Sequence, residues 1–368
     1  MTGRRQKRIE SETARLLRAG VQGRVFPGGA AAVSWREGDR RPEVLAHAGR
    51  TCPGGGEVGP ATLYDLASLT KPVVATAALR MVADGRITLE TRLEDVVSDV
   101  RGTLGGTATL EALLTHRAGL AAWGGLFMDV PHELGTAAAK RWLLTEAARH
   151  PHDEPDGSAV YSDMGYILAG EMLARAAGER LDAVVARYVT EPLGLVDELF
   201  YPMARPRSER LALRPRTAPT ERCEWRGEVV HGEPHDENCW ALGGVTGHAG
   251  LFGTARAVVR FGRAVLEARL GRSDFVPREL LERALSPRPG GPLLLGWNSR
   301  PGLPAMGRYL GQDGFGHLGF TGTSLWCDEE RDLVVVLLTN RIHPTRANER
   351  IKGFRPAFHD GVVAAFDG

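Results

Sequence analysis

Strand-like segments lie near both ends of this chain, whereas the long stretch between them carries the apolar period of helices. The strand-like runs are residues 30–35, 44–48, 293–297, 316–320, 324–327 and 333–339. From residue 86 to 200 the apolar residues recur mostly at helical spacing, and helical patterns at 8–21 and 346–366 open and close the chain. A sheet built from both ends must bring those ends together. We therefore predict an α/β fold, in which an antiparallel sheet is flanked by N- and C-terminal helices and an all-helical domain is inserted.

The boundaries of these patterns divide the chain into two predicted domains. Residues 1–85 and 246–368 are expected to form one discontinuous α/β domain, and residues 86–245 a helical domain. The last part of the helical domain, 203–245, contains few apolar residues and many Arg, Pro and Glu residues. We therefore predict a long surface loop there.

The composition excludes several classes of protein. Hydrophobic residues make up 43% and charged residues 25% of the 368 residues, which is typical of a folded globular chain. The 46 basic and 45 acidic residues leave a formal net charge of +1, so capture of nucleic acid or of an anionic membrane is not expected as the main function. We expect no nucleic-acid and no membrane partner, and the sequence leaves the oligomeric state open.

Two features of the sequence bear on the compartment. The N-terminal segment contains basic side chains but no apolar run of the length found in secretory signals, and no apolar stretch is long enough to span a bilayer. The four cysteines are scattered without a CxxC pair, which favours reduced thiols over a disulfide framework or a zinc site. We therefore predict a cytoplasmic protein.

The first motif with chemical content is the sequence Ser68-Leu69-Thr70-Lys71 at the start of a predicted helix over 68–84. Residues three apart lie on one face of a helix, so the Lys71 amine can reach the Ser68 hydroxyl. Free backbone N–H groups at a helix N-terminus suit a developing oxyanion. Only four of the 46 basic residues are lysines, and an arginine at position 71 could not act as a base. The alternative is that Ser68 only caps the helix.

A second candidate is Tyr161-Ser162-Asp163, which follows a predicted turn at 155–157. A tyrosine on a loop that faces a serine–lysine pair can shuttle a proton as phenol or phenolate. The alternative is an ordinary loop tyrosine.

The third candidate is the glycine-rich segment 316–323, which contains His317. Glycines on an edge strand let a substrate approach closely, and a backbone N–H there can complete an oxyanion hole. The alternative is a glycine-rich hairpin with a satisfied surface histidine.

The order and spacing of the three motifs resemble the serine β-lactamase and penicillin-binding protein superfamily, in its class C β-lactamase-like and esterase-like branch. The resemblance rests on the segments LYDLASLTKPVVATAA (63–78), LLTHRAGL (113–120), YSDMGYIL (161–168), LGGVTGHAGLFGT (242–254) and HLGFTGTSLW (317–326). It implies an antiparallel sheet flanked by terminal helices, with the site between the sheet and the helical domain.

The resemblance also implies roles for individual residues. Ser68 would be the nucleophile, Lys71 its activating partner and Tyr161 a proton shuttle. The backbone N–H groups of Ser68 and Phe320 would form the oxyanion hole, with Gly319 beside them. His317 would line the site on the same strand.

Two positions depart from the commonest pattern of this family. Asp163 stands where asparagine is usual, and His317 stands where lysine is usual in true lactamases. We expect His317 to be mostly neutral at pH 7. We expect Asp163 to keep Lys71 protonated, and the ammonium to lower the pKa of Tyr161 until phenolate is accessible near neutral pH. Both departures favour an esterase-like or peptidase-like hydrolase.

One polar segment could be imagined as a metal site, but it lacks a recognised ligand spacing. Its candidate ligands are His231, His235, Asp236, Glu237 and Cys239. Similar His-Asp-Glu-Asn stretches occur in esterase-like members of the family that this chain resembles, so residues 235–238 are expected to be structural or rim residues. No metal and no organic cofactor is predicted.

Together these observations predict a serine hydrolase that acts through an acyl-enzyme on the ester, amide or lactam carbonyl of a small-molecule or peptide substrate. One alternative is a DD-peptidase or an acyl-transferring peptide cyclase. Another is a catalytically silent protein that binds peptidoglycan fragments or a partner. The joint presence of Ser68, Lys71 and Tyr161 counts against a silent protein, because binding alone needs no proton shuttle.

Overall fold

The structure is a computed structural model that describes residues 2–152, 159–299 and 304–368. Its helices are α1 (Thr2–Gln22), α2 (Thr70–Ala83), α3 (Leu93–Val96), α4 (Leu110–Leu114), α5 (Ala137–Ala147), α6 (Asp163–Ala177), α7 (Leu181–Val185), α8 (Arg207–Leu213), α9 (Glu237–Ala241), α10 (Ala255–Arg269), α11 (Arg278–Leu285) and α12 (Ile351–Asp367). Its strands are β1 (Gly28–Trp35), β2 (Glu43–Gly49), β3 (Tyr64–Asp65), β4 (Leu199–Phe200), β5 (Arg222–Cys223), β6 (Glu228–Val229), β7 (Phe252–Gly253), β8 (Asn298–Ser299), β9 (Phe315–Leu318), β10 (Ser324–Asp328) and β11 (Leu333–Thr339). The predicted turn at 155–157 lies outside the described residues.

The main sheet joins the two ends of the chain, as the strand pattern predicts. Its order is β2-β1-β11-β10-β9-β8, with antiparallel pairing between neighbours. β1 pairs with β11 over its length, from Gly29 opposite Thr339 to Trp35 opposite Leu333. The N-terminal hairpin and the C-terminal strands therefore form one sheet, and the predicted fold class is confirmed.

Helices cover both faces of this sheet. Successive side chains of a strand point to opposite faces, and in β1 the side chains of Ala31 and Val33 join the apolar cluster of α1 and α12. Those of Ala30 and Ala32 join the cluster that includes α10. β11 is buried on both faces in the same way, which explains why it is an uninterrupted apolar run.

The helical region continues the core on the α10 side of the sheet. α2 is buried along most of its length, and its side chains belong to the same apolar cluster as those of α4, α6 and the sheet. The division of the chain after residue 85 and before residue 246 stays a prediction.

Two sequence-based expectations are wrong. Part of the predicted surface loop 203–245 is core, since Cys223 and Cys239 are buried there. The low apolar content of this segment suggests exposure, but its polar side chains are buried in pairs. The predicted strand 293–297 is a turn around Gly296, whose φ is 79°, and only β8 just after it pairs with the sheet.

Three further observations bear on the predicted class. In the described part of the chain, no helix is long and apolar enough to cross a membrane. Cys52, Cys223, Cys239 and Cys327 are free cysteines. Across residues 2–152, 159–299 and 304–368, no three His, Cys, Asp or Glu side chains are grouped so that they could hold a metal ion.

Candidate active site

Ser68 lies in a single 3₁₀ turn, Ala67–Leu69, that leads into α2. Ala67 has a φ of 48°, a left-handed conformation that costs free energy for a residue with a Cβ atom. The Asp65 carboxylate holds this bend by accepting a hydrogen bond from the Ala67 N–H at 2.9 Å. The strained bend fixes the backbone immediately before Ser68.

Lys71 lies one turn after Ser68 with its side chain fully buried. Its Nζ donates to Ser68 Oγ at 2.9 Å and to the His248 carbonyl at 3.3 Å. Its strongest partner is the carboxylate of Asp163, at 2.6 Å. The spacing of Ser68 and Lys71 therefore correctly predicts their contact.

The charge on Lys71 is set by two opposing effects. Burial lowers the pKa of Lys71, but the interactions with its neighbours, of which the Asp163 carboxylate is the strongest, outweigh burial and raise the pKa above its ordinary value. Lys71 is therefore an ammonium at neutral pH, as we expected from Asp163.

Tyr161 lies against the same ammonium, with Lys71 Nζ 4.8 Å from the centre of its ring. Desolvation raises the pKa of Tyr161 and outweighs the lowering by Lys71, so the net pKa lies above its ordinary value. The expectation of an accessible phenolate near neutral pH is wrong. In the resting site Tyr161 is a neutral phenol.

His317 is on β9, and its ring centre is 5.8 Å from that of Tyr161. Burial, together with the nearby charge of Lys71, lowers the pKa of His317 to about 3, so the expected neutral state is confirmed. Its Nδ1 lies 2.8 Å from the Leu318 carbonyl. A carbonyl only accepts, so Nδ1 carries the proton and Nε2 offers a lone pair.

Gly319 and Phe320 lie in the turn between β9 and β10. A Cβ atom on Gly319 would come within 2.0 Å of Thr323 Oγ1 and 2.5 Å of the Leu66 carbonyl, so only glycine fits. Among the described residues, the backbone N–H groups of Ser68 and Phe320 have no hydrogen-bond acceptor. Both N–H groups are thus available for an oxyanion.

These residues surround a cavity of about 720 Å³. The expected site residues that line it are Ser68, Tyr161, Asp163, His317, Gly319 and Phe320. Lys71 is buried next to Ser68. The structure therefore brings together every residue that the sequence assigned to the site.

The polar segment 235–238 contributes paired side chains to the cavity wall. His235 Nε2 contacts Glu221 at 2.8 Å, and Glu237 accepts from Arg346 at 2.6 Å. Asp236 contacts His248 Nε2 at 2.8 Å. These side chains bind each other, which accounts for the buried polar character of this segment.

Sequence reasoning missed a histidine that packs against Tyr161 and several residues of the cavity wall. His116 stacks on Tyr161 with ring centres 4.7 Å apart, and its Nδ1 accepts from the Ser162 N–H. Its position in the LLTHRAGL segment was an available signal. Trp123 lines the cavity, as do the arginines Arg341 and Arg355. No sequence signal distinguishes those two from the other arginines of the chain.

The comparisons with known proteins agree with this geometry. The beta-lactamase family model matches residues 13–355. A putative D-alanyl-D-alanine carboxypeptidase of Escherichia coli K12 is 27% identical over 312 residues, which is 77% of this chain and 70% of that protein. An N-acetylmuramyl-L-alanine amidase of Bacillus subtilis 168 is also 27% identical, over 77% of this chain and 68% of that protein.

Solved structures share the fold. EstCE1, described as a hydrolase with promiscuous acyltransferase activity, aligns with a TM-score of 0.73 at 15% identity over 99% of both chains. A class C beta-lactamase from Rhodobacter sphaeroides aligns with a TM-score of 0.69 at 19% identity, over 96% of this chain and 99% of that one. The chain therefore belongs to the beta-lactamase family. It is a serine hydrolase, and the substrates of this family are small-molecule or peptide acyl compounds.

Proposed function

We propose that this protein hydrolyses an ester or amide through an acyl-enzyme on Ser68. One observation carries the proposal: Ser68 Oγ lies at the wall of the cavity and is hydrogen-bonded at 2.9 Å to a buried ammonium, Lys71. A helix cap needs no buried lysine beside the hydroxyl, whereas a nucleophile needs a group that manages its proton.

The proton path follows from the contacts of Ser68. The Ser68 oxygen forms a bond to the carbonyl carbon of the substrate while its proton passes to Tyr161 in the minor phenolate form, which the Lys71 ammonium stabilises. The resulting phenol gives this proton to the leaving alcohol or amine. Water then attacks the acyl-enzyme and gives a proton to Tyr161. The bond between the acyl carbon and the Ser68 oxygen breaks, Tyr161 returns the proton to Ser68, and the acid leaves.

The negative charge on the carbonyl oxygen needs donors in the tetrahedral intermediate. The free N–H groups of Ser68 and Phe320 supply them, one from the turn before α2 and one from the turn after β9. These preorganised dipoles stabilise the oxyanion without reorganisation.

The walls of the cavity favour a substrate with an apolar portion. Trp123 and Phe320 leave 49% and 47% of their surface exposed, and both line the cavity together with Leu318. Arg346 in the wall is paired with Glu237, Arg341 donates to backbone carbonyls, and a neutral His317 adds no charge for a carboxylate. We therefore propose uncharged esters or amides as substrates, with β-lactams as poor ones.

The first test is intact-mass analysis after incubation with a fluorophosphonate and, separately, with a penicillin. We expect the fluorophosphonate to label wild-type protein and not Ser68→Ala, with Lys71→Arg strongly impaired. Absence of labelling in the folded wild type contradicts the proposal, and fast penicillin turnover contradicts the choice of substrate. Adding an amine acceptor to an ester assay distinguishes hydrolysis from acyl transfer.

The cytoplasmic location stays a prediction, which cell fractionation tests. The lack of nucleic-acid and membrane partners also stays a prediction, which binding assays test.

A further inference from the structure

The peptide unit between Gly319 and Phe320 has both of its polar groups at the site. Its N–H is the Phe320 donor assigned above to the oxyanion hole. Its carbonyl, Gly319 O, accepts from Arg355 Nη2 at 2.5 Å and from the Gly322 N–H at 3.1 Å. Arg355 therefore touches the opposite end of the amide that faces the oxyanion.

The surroundings of Arg355 are unusual for an arginine. It projects from α12 with 8% of its surface exposed. Its hydrogen bonds go to the carbonyls of Gly319 and Thr323, and within the described chain no carboxylate forms an ion pair with it. Nε is buried without a partner. A buried cation without a counter-ion destabilises the fold, so its presence here calls for a role in the site.

We propose that Arg355 is a positioning residue that strengthens the oxyanion hole through the Gly319–Phe320 peptide, an inference that rests on the proposed function. Hydrogen bonds in a chain polarise one another. A guanidinium that donates to the carbonyl draws electron density away from the amide nitrogen, and so makes the Phe320 N–H a stronger donor. The same contact fixes the plane of the peptide, and the positive charge favours the developing oxyanion.

Arg80 provides a control outside the cavity. Its Nη1 donates to the Tyr188 carbonyl at 2.6 Å. Within the described chain, no carboxylate forms an ion pair with Arg80, and Arg80 is not among the residues that line the cavity. Removing Arg80 therefore removes an arginine and its contact with a backbone carbonyl without touching the Gly319–Phe320 peptide.

The experiment compares Arg355→Met, Arg355→Gln, Arg355→Lys and Arg80→Met in hydrolysis of a neutral p-nitrophenyl ester. We expect Arg355→Met to lower kcat about 10- to 100-fold with KM changed less than about threefold, since the lost stabilisation is specific to the transition state. Arg355→Lys, which keeps a charged donor, should recover part of kcat. Arg80→Met should change kcat less than about threefold.

Inhibition by phenylboronic acid is a second measurement, which distinguishes an effect on the oxyanion hole from a general structural defect. Its serine adduct carries a negative oxygen, so affinity should fall in Arg355→Met by about the same factor as kcat/KM. Melting curves establish that each variant is folded. If Arg355→Met does not fold, Arg355→Gln decides, because it removes the charge but keeps a polar side chain. An unchanged kcat and an unchanged boronate affinity in Arg355→Gln overturn the proposal.

Equal losses in Arg355→Met and Arg80→Met, or a kcat of Arg355→Met within threefold of wild type, also overturn the positioning role. A wild type that neither hydrolyses esters nor reacts with the fluorophosphonate overturns the proposed function, and this inference with it. A labelled wild type with an unaffected Arg355→Met overturns the positioning role alone.

Discussion

The ammonium of Lys71 and the carboxylate of Asp163 form a buried ion pair of 2.6 Å directly beside Ser68. In this pair Lys71 is protonated, although the family resemblance implies that Lys71 activates the serine. Tyr161 is also protonated at rest, because its pKa is raised as well. Neither Lys71 nor Tyr161 is therefore a free base in the resting site, and several predictions about pH and charge depend on this.

The activity of the wild type should rise with pH. Since the pKa values of both Lys71 and Tyr161 lie above their ordinary values, the reactive form has one proton fewer than the resting form, whichever of the two is the base. We expect log(kcat/KM) for a neutral ester to rise with a slope near one from about pH 6.5 to about pH 9. The Ser68→Ala protein supplies the blank for spontaneous hydrolysis. A flat profile would show instead that the proton stays inside the site, passing from Lys71 to Asp163.

Asparagine at position 163 should move that profile to lower pH. Without the carboxylate, burial dominates and lowers the pKa of Lys71, so a neutral amine becomes available at lower pH. We expect the rise in kcat/KM of Asp163→Asn to shift down by about one to three pH units. Its measurement needs the same ester and pH range as the wild type. If the pH profile of Asp163→Asn overlays that of the wild type, Asp163 does not influence the protonation of the catalytic groups.

His317 should not contribute a positive charge that favours substrates with a carboxylate. Its pKa is lowered to about 3, so it stays neutral throughout the assay range. We expect His317→Lys to raise the ratio of kcat/KM for a carboxylate-bearing ester over its neutral analogue by about tenfold or more, through a charge-assisted contact. His317→Gln, which stays neutral, should keep the wild-type ratio within about threefold. A wild-type preference for the carboxylate above about a hundredfold, roughly 2.7 kcal/mol, would contradict the assignment.

A histidine remote from the chemistry should make the fold sensitive to acid. Burial lowers the pKa of His359 to about 4, although its contact with the Ala305 carbonyl opposes this. Because the folded pKa lies below the unfolded value, this stability is complete above pH 6.5 and is lost as the pH falls toward 4. The loss between pH 7.5 and pH 5 should be about 2 kcal/mol for this group.

Denaturant unfolding at the two pH values measures the effect. His359→Gln should be less stable than the wild type at pH 7.5 but should lose less stability on acidification. His132→Gln, at an exposed position, is the matched control and should follow the wild type. Parallel losses in all three proteins would show that His359 does not drive the acid sensitivity.

The predictable parts of this molecule were those fixed by local pattern. The run in β11 is apolar because both of its faces are buried, and the spacing of Ser68 and Lys71 dictates their contact. The charge on Lys71 could also be anticipated, because it depends on one strong neighbour, Asp163. The fold class and the candidate residues around Ser68 were therefore accessible from the sequence, but much of the cavity wall was not.

The remaining features depend on burial, which a sequence does not state. The raised pKa of Tyr161 arises because desolvation outweighs its neighbour's charge. The polar segment 203–245 is partly core because pairs such as His235 with Glu221 bury each other. The sequence does not distinguish Arg355 from the other arginines, whereas its contact with the Gly319 carbonyl in the structure does.

Two hydrogen bonds connect the turn that contains Phe320 to the segment just before Ser68. Thr321 Oγ1 donates to the Asp65 carbonyl at 2.7 Å, although 256 positions separate the two residues, and Thr323 Oγ1 donates to the Leu66 carbonyl at 3.1 Å. The two proposed oxyanion donors are thereby joined without any residue of the helical region. A change in a segment such as the one that carries Trp123 therefore leaves the alignment of these two N–H groups intact.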